Sequence, residues 1–273
     1  TFSMMASCGN CFYCTEARLP QKCQRLFKYG HTTCTQDLAL TGGLSEFIYL
    51  VKGTTIYRLS DAISDEVAAT AMCAGATLEH AFEGARERQM QSVLLVGMGM
   101  LGLWAIRIAM SMGFENILCL DIDQDRLAFA LDSGATHVLD ASNLEPELIA
   151  QRVSSMLGGE GPDLTIEMSG TPSGVCTAFL CSRTGGQLNL VGSVIPTNPL
   201  LVDPYDVVRR SLVIKGVHNY RPEHLAKALA LTEDESHHHA LRMGVSSPIP
   251  LASVDSAFRD AIRHKAHRIL ITN

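Results

Sequence analysis

The sequence predicts an α/β fold: a doubly wound, parallel six-stranded domain joined to a smaller, mainly β region with a metal-binding lobe. Three observations carry this. From about residue 75 to residue 218, short apolar runs alternate with helical patterns, as parallel strands with helical crossovers require. One such unit holds Gly97-x-Gly99-x-x-Gly102 between an apolar run and a helical pattern. Upstream, Cys8-x-x-Cys11-x-x-Cys14-x8-Cys23 gathers four cysteines in one short loop.

Taken in order, the chain opens in a cysteine-dense loop, Cys8 to Cys34. Gly42 to Asp61 alternates β-branched and aromatic residues around a Lys52-Gly53 turn and predicts short strands. Ser64-Asp65-Glu66 predicts a helix start, with the Ser64 hydroxyl as the cap and the acids suiting the dipole. Val93 to Val96 predicts a buried strand, the glycine string its turn, and the pattern to Met112 a helix stopped by Gly113. The second strand, Ile117 to Leu120, leads into Asp121. Further strands are predicted at Ala135–Ala141, Leu164–Gly170, Gln187–Val194 and Ser211–Val217. Helices are predicted over Glu145–Leu157 and from Pro172 to about Ser182. In the tail, a helix covers Pro222 to Leu231, and the polar stretch with His237 to His239 reads as a solvated loop. A short strand, a helix from Ser253 to His264 and a last strand from His267 follow, and the tail is expected to pack back onto the N-terminal region.

The glycine string is the dinucleotide fingerprint of a Rossmann domain. Gly97 permits the tight turn. Gly99 lets backbone N–H groups approach a pyrophosphate, at a helix end that favours anions. Gly102 lets helix and strand pack closely. Asp121, at the end of the next strand, can accept hydrogen bonds from ribose hydroxyls, and its charge repels a 2′-phosphate; this predicts NAD rather than NADP. The alternative is a glycine-rich turn in an unrelated α/β protein. Ligands on such sheets sit at the carboxyl ends of the strands, so Gly97, Asp121, Ser169 and Gly192 share the predicted binding edge.

Cys8, Cys11, Cys14 and Cys23 offer four thiolates to one tetrahedral ion, with no open position, so a structural zinc is predicted. An iron–sulfur cluster or a nucleic-acid-binding ribbon would use similar thiolates. The net charge of −6 and the lack of a basic run speak against nucleic acid and anionic membranes as partners. With nine cysteines, an odd number, and no secretion signal, metal ligands and buried thiols are expected rather than disulfides. Cys34, Cys119, Cys176 and Cys181 are expected to pack as small apolar residues. No apolar run approaches a membrane span, and a cytoplasmic location is expected.

The four-cysteine lobe followed by the GxGxxG unit resembles the zinc-dependent medium-chain dehydrogenases, the alcohol, sorbitol and threonine dehydrogenase family. The resemblance implies a partial GroES-like catalytic domain over residues 1–74, the NAD-binding domain over 75–218 and a return to the catalytic domain over 219–273. It implies hydride transfer between an alcohol or aldehyde and NAD, with a catalytic zinc acting as Lewis acid. By resemblance Cys73, in AMCAGAT, ligates that zinc, Gly192 and Ser193 lie near the nicotinamide, and Arg268 reaches the pyrophosphate. His218 would line the substrate cleft with Tyr220 and Arg221. Association into a homodimer or homotetramer through the sixth strand is also implied. The strings LPQKC, LFKYGH and GVHNYRPEHLAKAL resemble a subgroup associated with phosphonate catabolism, which implies a phosphonate-bearing alcohol. The family's other catalytic-zinc ligands lie upstream of the cysteine lobe, and the sequence begins at Thr1, just before it, so an N-terminal part is expected to be missing. Two other readings stay open: an inactive NAD- and zinc-binding module, and a zinc-independent quinone reductase of the same superfamily.

Overall fold

The computed structural model describes residues 1–196, 202–263 and 267–273. The chain divides into two compact units, one of residues 1–76 with 219–273 and one of residues 77–218.

The first unit begins with β1 (Phe2–Ala6), flanked antiparallel by β2 (Phe27–Lys28) and β3 (Thr54–Ile56). Between β1 and β2 the chain makes the cysteine loop, with the short helix α1 (Phe12–Thr15) inside it. Of the strands expected over Gly42–Asp61, only Thr54–Ile56 forms. The rest is held by local turns, with Tyr49 N donating to Leu40 O at 2.7 Å and Ser45 Oγ to Phe47 O at 2.6 Å. Bonds of that kind take the place of a ladder partner. A helical segment then runs through α2 (Asp65–Thr70), a π-helical turn over Ala71–Gly75 and α3 (Ala76–Ala81). Ser64 occupies the cap position of α2, but its hydroxyl accepts no helix N–H bond; it lies 3.1 Å from His238 Nε2.

The second unit is the six-stranded parallel sheet. Its strands are β4 (Ser92–Val96), β5 (Asn116–Asp121), β6 (His137–Asp140), β7 (Leu164–Glu167), β8 (Gln187–Leu190) and β9 (Val213–Gly216), in the order β6-β5-β4-β7-β8-β9. Winding starts in the middle and reverses between β4 and β7, which makes the carboxyl ends of those strands the switch point. The crossovers are α4 (Met100–Met112), α5 (Gln124–Asp132), α6 (Pro146–Met156), α7 (Pro172–Cys181) and α8 (Pro204–Arg209). Leu103, Trp104, Ile106 and Ile108 of α4 are buried, each contributing about 1.5–3 kcal/mol by removal from water. Gly113 ends α4 in the left-handed conformation, φ 81°. Cys119 and Cys181 are buried in this unit, as expected of small apolar residues, whereas Cys176 and, in the first unit, Cys34 are exposed.

The tail completes the first unit. It contains α9 (Pro222–Leu231), α10 (Glu235–Met243), β10 (Ile249–Pro250), α11 (Val254–Arg263) and β11 (Ile271–Thr272), the two strands pairing in parallel. The expected loop around His237–His239 is therefore helix. Asp234 caps it, accepting from Ser236 N at 2.9 Å, and Leu241 is buried beneath it. The last strand is shorter than expected, with Arg268 forming only an isolated bridge to Val245. His264, assigned to the preceding helix from sequence, lies outside the described residues. Tail and N-terminal stretch meet through Tyr57 Oη donating to Pro222 O at 2.9 Å and an Arg242–Glu66 ion pair at 3.4 Å. Among the described residues no helix is long and apolar enough to cross a membrane.

Candidate functional site

The glycine string forms the turn between β4 and α4. Gly97 has φ +97°, and a Cβ there would lie 2.8 Å from Ser169 N. Gly102 packs against the same turn, since its Cβ would meet Gly97 O at 2.8 Å. Gly99 is the cap residue of α4, and a Cβ on it would meet nothing within 4 Å. The two outer glycines thus serve protein packing, and the middle one faces open space at the positive end of a 13-residue helix.

Asp121 closes β5 and is 8% exposed. Its Oδ2 accepts from Met98 N at 2.6 Å, and its Oδ1 from Ile122 N at 2.7 Å and Asp123 N at 3.0 Å. Three N–H groups leave an ionised carboxylate with acceptor capacity to spare. Arg126, on α5, brings Nη1 to 4.0 Å from Oδ2. A cavity of about 330 Å³ opens beside these residues, lined by Gly97, Asp121, Ile122, Ser169, Thr171 and Gly174 among others. That is a size at which small-molecule sites begin.

The wall opposite Asp121 is the turn after β7. Ser169 Oγ donates to Glu167 Oε1 at 2.6 Å, Gly170 N donates to the same oxygen at 2.8 Å, and Thr171 Oγ1 accepts from Gly174 N at 3.1 Å as the cap of α7. Gly192, after β8, stands directly against this turn: its Cβ would lie 2.4 Å from Gly170 N. Ser193 beside it is exposed. The structure thus brings Gly97, Asp121, Ser169 and Gly192 to one sheet edge. Glu167, Thr171 and Arg126 were not singled out from sequence.

In the first unit the four lobe cysteines converge, all their sulfurs within 4.8 Å of one another. The separations are 3.5 Å for Cys11–Cys14, 3.8 Å for Cys11–Cys23 and 4.0 Å for Cys8–Cys14. A tetrahedron of sulfurs about 2.3 Å from a zinc ion has edges of about 3.8 Å, so the set fits one ion. A multi-iron cluster would hold its sulfurs further apart. Cys23 Sγ also accepts from Cys8 N and Arg25 N, both at 3.3 Å. The Asn10 backbone N–H and the Arg25 side chain pull the Cys8 thiol down to about 6. Burial and the neighbouring Cys11 push Cys14 up to about 11. Metal binding removes all four protons together.

The remaining candidates are Cys73, Arg268, His218, Tyr220 and Arg221. Cys73 lies in the π-helical turn of the first unit, exposed, and stands in no cluster of three metal donors among the described residues. A catalytic zinc takes three protein ligands, so these residues do not fit that ion. Arg268 is exposed in the first unit. His218 is exposed at the end of the second. Tyr220 does not offer its hydroxyl to a substrate: it is 1% exposed, donates to Met72 O and accepts from Met4 N at 3.1 Å. The Arg221 guanidinium is tied to Glu223 at 2.6 Å.

Residues 101–234, just under half of the chain, match the family described as "Zinc-binding dehydrogenase". An L-threonine 3-dehydrogenase of Bacillus licheniformis is 31% identical over 126 residues, 46% of this chain and 35% of that protein. One of Francisella tularensis subsp. novicida is 29% identical over 216 residues, 77% of this chain and 58% of that protein. The chain therefore spans 35% to 58% of the length of these curated relatives. An alcohol dehydrogenase of Thermotoga maritima has a similar structure, with a TM-score of 0.92 at 25% identity, covering 100% of this chain and 75% of that one. An alcohol dehydrogenase from Thermus sp. ATN1 shares the fold, with a TM-score of 0.84 at 24% identity over 100% of this chain and 76% of that one.

Proposed function

We propose that this chain serves in a zinc- and NAD-dependent dehydrogenase that moves hydride between an alcohol carbon and NAD. The single observation that carries the reading is Asp121, which ties the end of β5 to Met98 in the Gly97–Gly102 turn at the rim of the cavity. Bound there, NAD supplies the carbon that accepts the hydride. The chain's own part is binding and alignment. Free N–H groups at the start of α4 would hold the pyrophosphate, with Gly99 leaving room for it. The Asp121 carboxylate would accept from the adenosine ribose and disfavour a 2′-phosphate. Gly192 and Ser193 would border the nicotinamide end, with Arg268 reaching the pyrophosphate. The four-thiolate lobe would hold a structural zinc that stiffens the loop from Cys8 to Cys23.

The relatives' names support an alcohol or threonine substrate. A phosphonate-bearing alcohol remains the finer proposal, carried by the sequence strings alone, because Arg221 is engaged by Glu223. With Cys73 as the family-type ligand, turnover needs zinc donors beyond those gathered near it here. That lack of a three-donor set among the described residues favours a second reading, an NAD- and zinc-binding module without turnover. The thiolate lobe argues against the zinc-independent quinone reductase. Edge-to-edge association through β9 is proposed as well, supported by exposed Val213 and Ile214.

Three measurements on the chain decide between these readings: NADH binding by fluorescence, zinc per chain, and oxidation of alcohols. Binding with two zincs per chain and turnover supports the dehydrogenase. Binding with one zinc and no turnover supports the module. Absence of NADH binding removes both.

A further inference from the structure

We infer that Glu167 is a positioning residue of the nucleotide site: its buried carboxylate fixes the Ser169–Gly170 turn that walls the cavity, and cofactor affinity depends on that hold. The inference rests on the reading of this cavity as the nucleotide site.

Glu167 ends β7 with 0% of its surface exposed. Its Oε1 receives two donors from the turn, the Ser169 hydroxyl at 2.6 Å and Gly170 N at 2.8 Å. Its Oε2 is buried and has no hydrogen-bond partner among the described residues. Among the described residues it forms no ion pair. Burying a carboxylate with half its acceptors unused is expensive, and a core built for stability alone would place an apolar side chain here. What the carboxylate does is close the turn.

The turn it closes is packed between two others with no side chain separating them. A Cβ at Gly97 would reach Ser169 N at 2.8 Å, and one at Gly192 would reach Gly170 N at 2.4 Å. A Cβ at Gly174, in the first turn of α7, would lie 2.1 Å from Ser169 Oγ and 3.3 Å from Glu167 Oε1. The turns after β4, β7 and β8 are therefore stacked backbone to backbone, and the middle one is set by Glu167. Ser169 and Thr171, whose hydroxyls lie 3.0 Å apart, line the cavity; Glu167 does not, so it acts through them.

The test uses the full chain, with NADH and AMP as ligands and thermal melting alongside. Glu167→Leu removes both acceptor bonds and is expected to weaken NADH and AMP binding about tenfold, the size of one or two lost hydrogen bonds. Glu167→Gln keeps a carbonyl oxygen at the acceptor position and is expected to recover most of that loss. Ser169→Ala, which leaves the carboxylate in place, is expected to weaken binding about threefold, and Glu167→Leu to add less in that background than alone. A folded Glu167→Leu that binds as tightly as wild type overturns the inference, and so does a Gln variant as weak as the Leu variant. Should Glu167→Leu fail to fold, unchanged affinity in Ser169→Ala overturns it. A wild type that binds neither NADH nor AMP overturns the nucleotide reading, and this inference with it.

Discussion

Asp121 Oδ2 and Met98 N are 2.6 Å apart, so the last residue of one strand is bonded to the turn that follows its neighbour. Arg126 Nη1 stands 4.0 Å from the same oxygen. Asp121→Ser removes a charge and frees that guanidinium. The expected result is NADH affinity down by about tenfold, the worth of a charged hydrogen bond, with NADPH affinity raised relative to it. Fluorescence titration with both nucleotides measures this, and an unchanged NADH/NADPH ratio would count against Asp121 as the discriminating group.

Two glycine substitutions should separate packing from binding. Gly192→Ala drives a Cβ to 2.4 Å from Gly170 N, so overpacking should cost about 1–3 kcal/mol and lower the melting temperature. Gly99→Ala meets no described residue beyond its chain neighbours and its own helix within 4 Å, so melting should hold while NADH binding drops. A Gly99→Ala chain that binds NADH normally would show that the pyrophosphate does not pass over this residue.

The cysteine lobe should hold one zinc per chain, measurable by metal analysis, and Cys11→Ser should lose it. In the metal-free chain the Cys8 thiol, lowered from 9.0 to about 6 by the Asn10 N–H and Arg25, is a thiolate above about pH 6 in the folded lobe and only above about 9 once unfolded. The stability it adds is therefore fully present above pH 9 and is lost as the pH falls through about 6. Alkylation of Cys8, followed by mass spectrometry, should rise near pH 6 in the folded chain and near pH 9 in denaturant.

At the opposite edge of the sheet Asp163 accepts from Gln91 N and Ser92 N, both at 2.8 Å, and from Arg183 Nη2 at 2.7 Å. Burial pushes its carboxyl up, but these donors outweigh that and hold it below its ordinary 3.8. A depressed carboxyl stabilises the fold above its unfolded value and ceases to do so as pH falls through the folded one. Asp163→Asn should therefore flatten the acid limb of a stability-versus-pH curve below about pH 4, by denaturant unfolding at several pH values.

What was legible in the sequence is what local geometry dictates. Gly97, Gly99 and Gly102 each answer a constraint inside one turn, and Cys8 to Cys23 are brought together by a short loop. Over residues 232–244 three histidines and several acids hide a helical period anchored by the buried Leu241 and the Asp234 cap, so the sequence there reads as loop. The Ser64 hydroxyl left its expected role because His238, 174 residues away, takes it. Glu167 was missed for the same reason: an acid ending an apolar run says little until Gly97 and Gly192 are seen to close on the turn beside it.

The lobe's four sulfurs come from one run of chain that includes its own turn at Gly9, φ +74°. Closing so short a loop carries a small entropic cost and needs no distant partner. Metal capture can thus precede assembly of the six-stranded sheet during synthesis, and a chain emerging from the ribosome would have its zinc in hand before the nucleotide site exists.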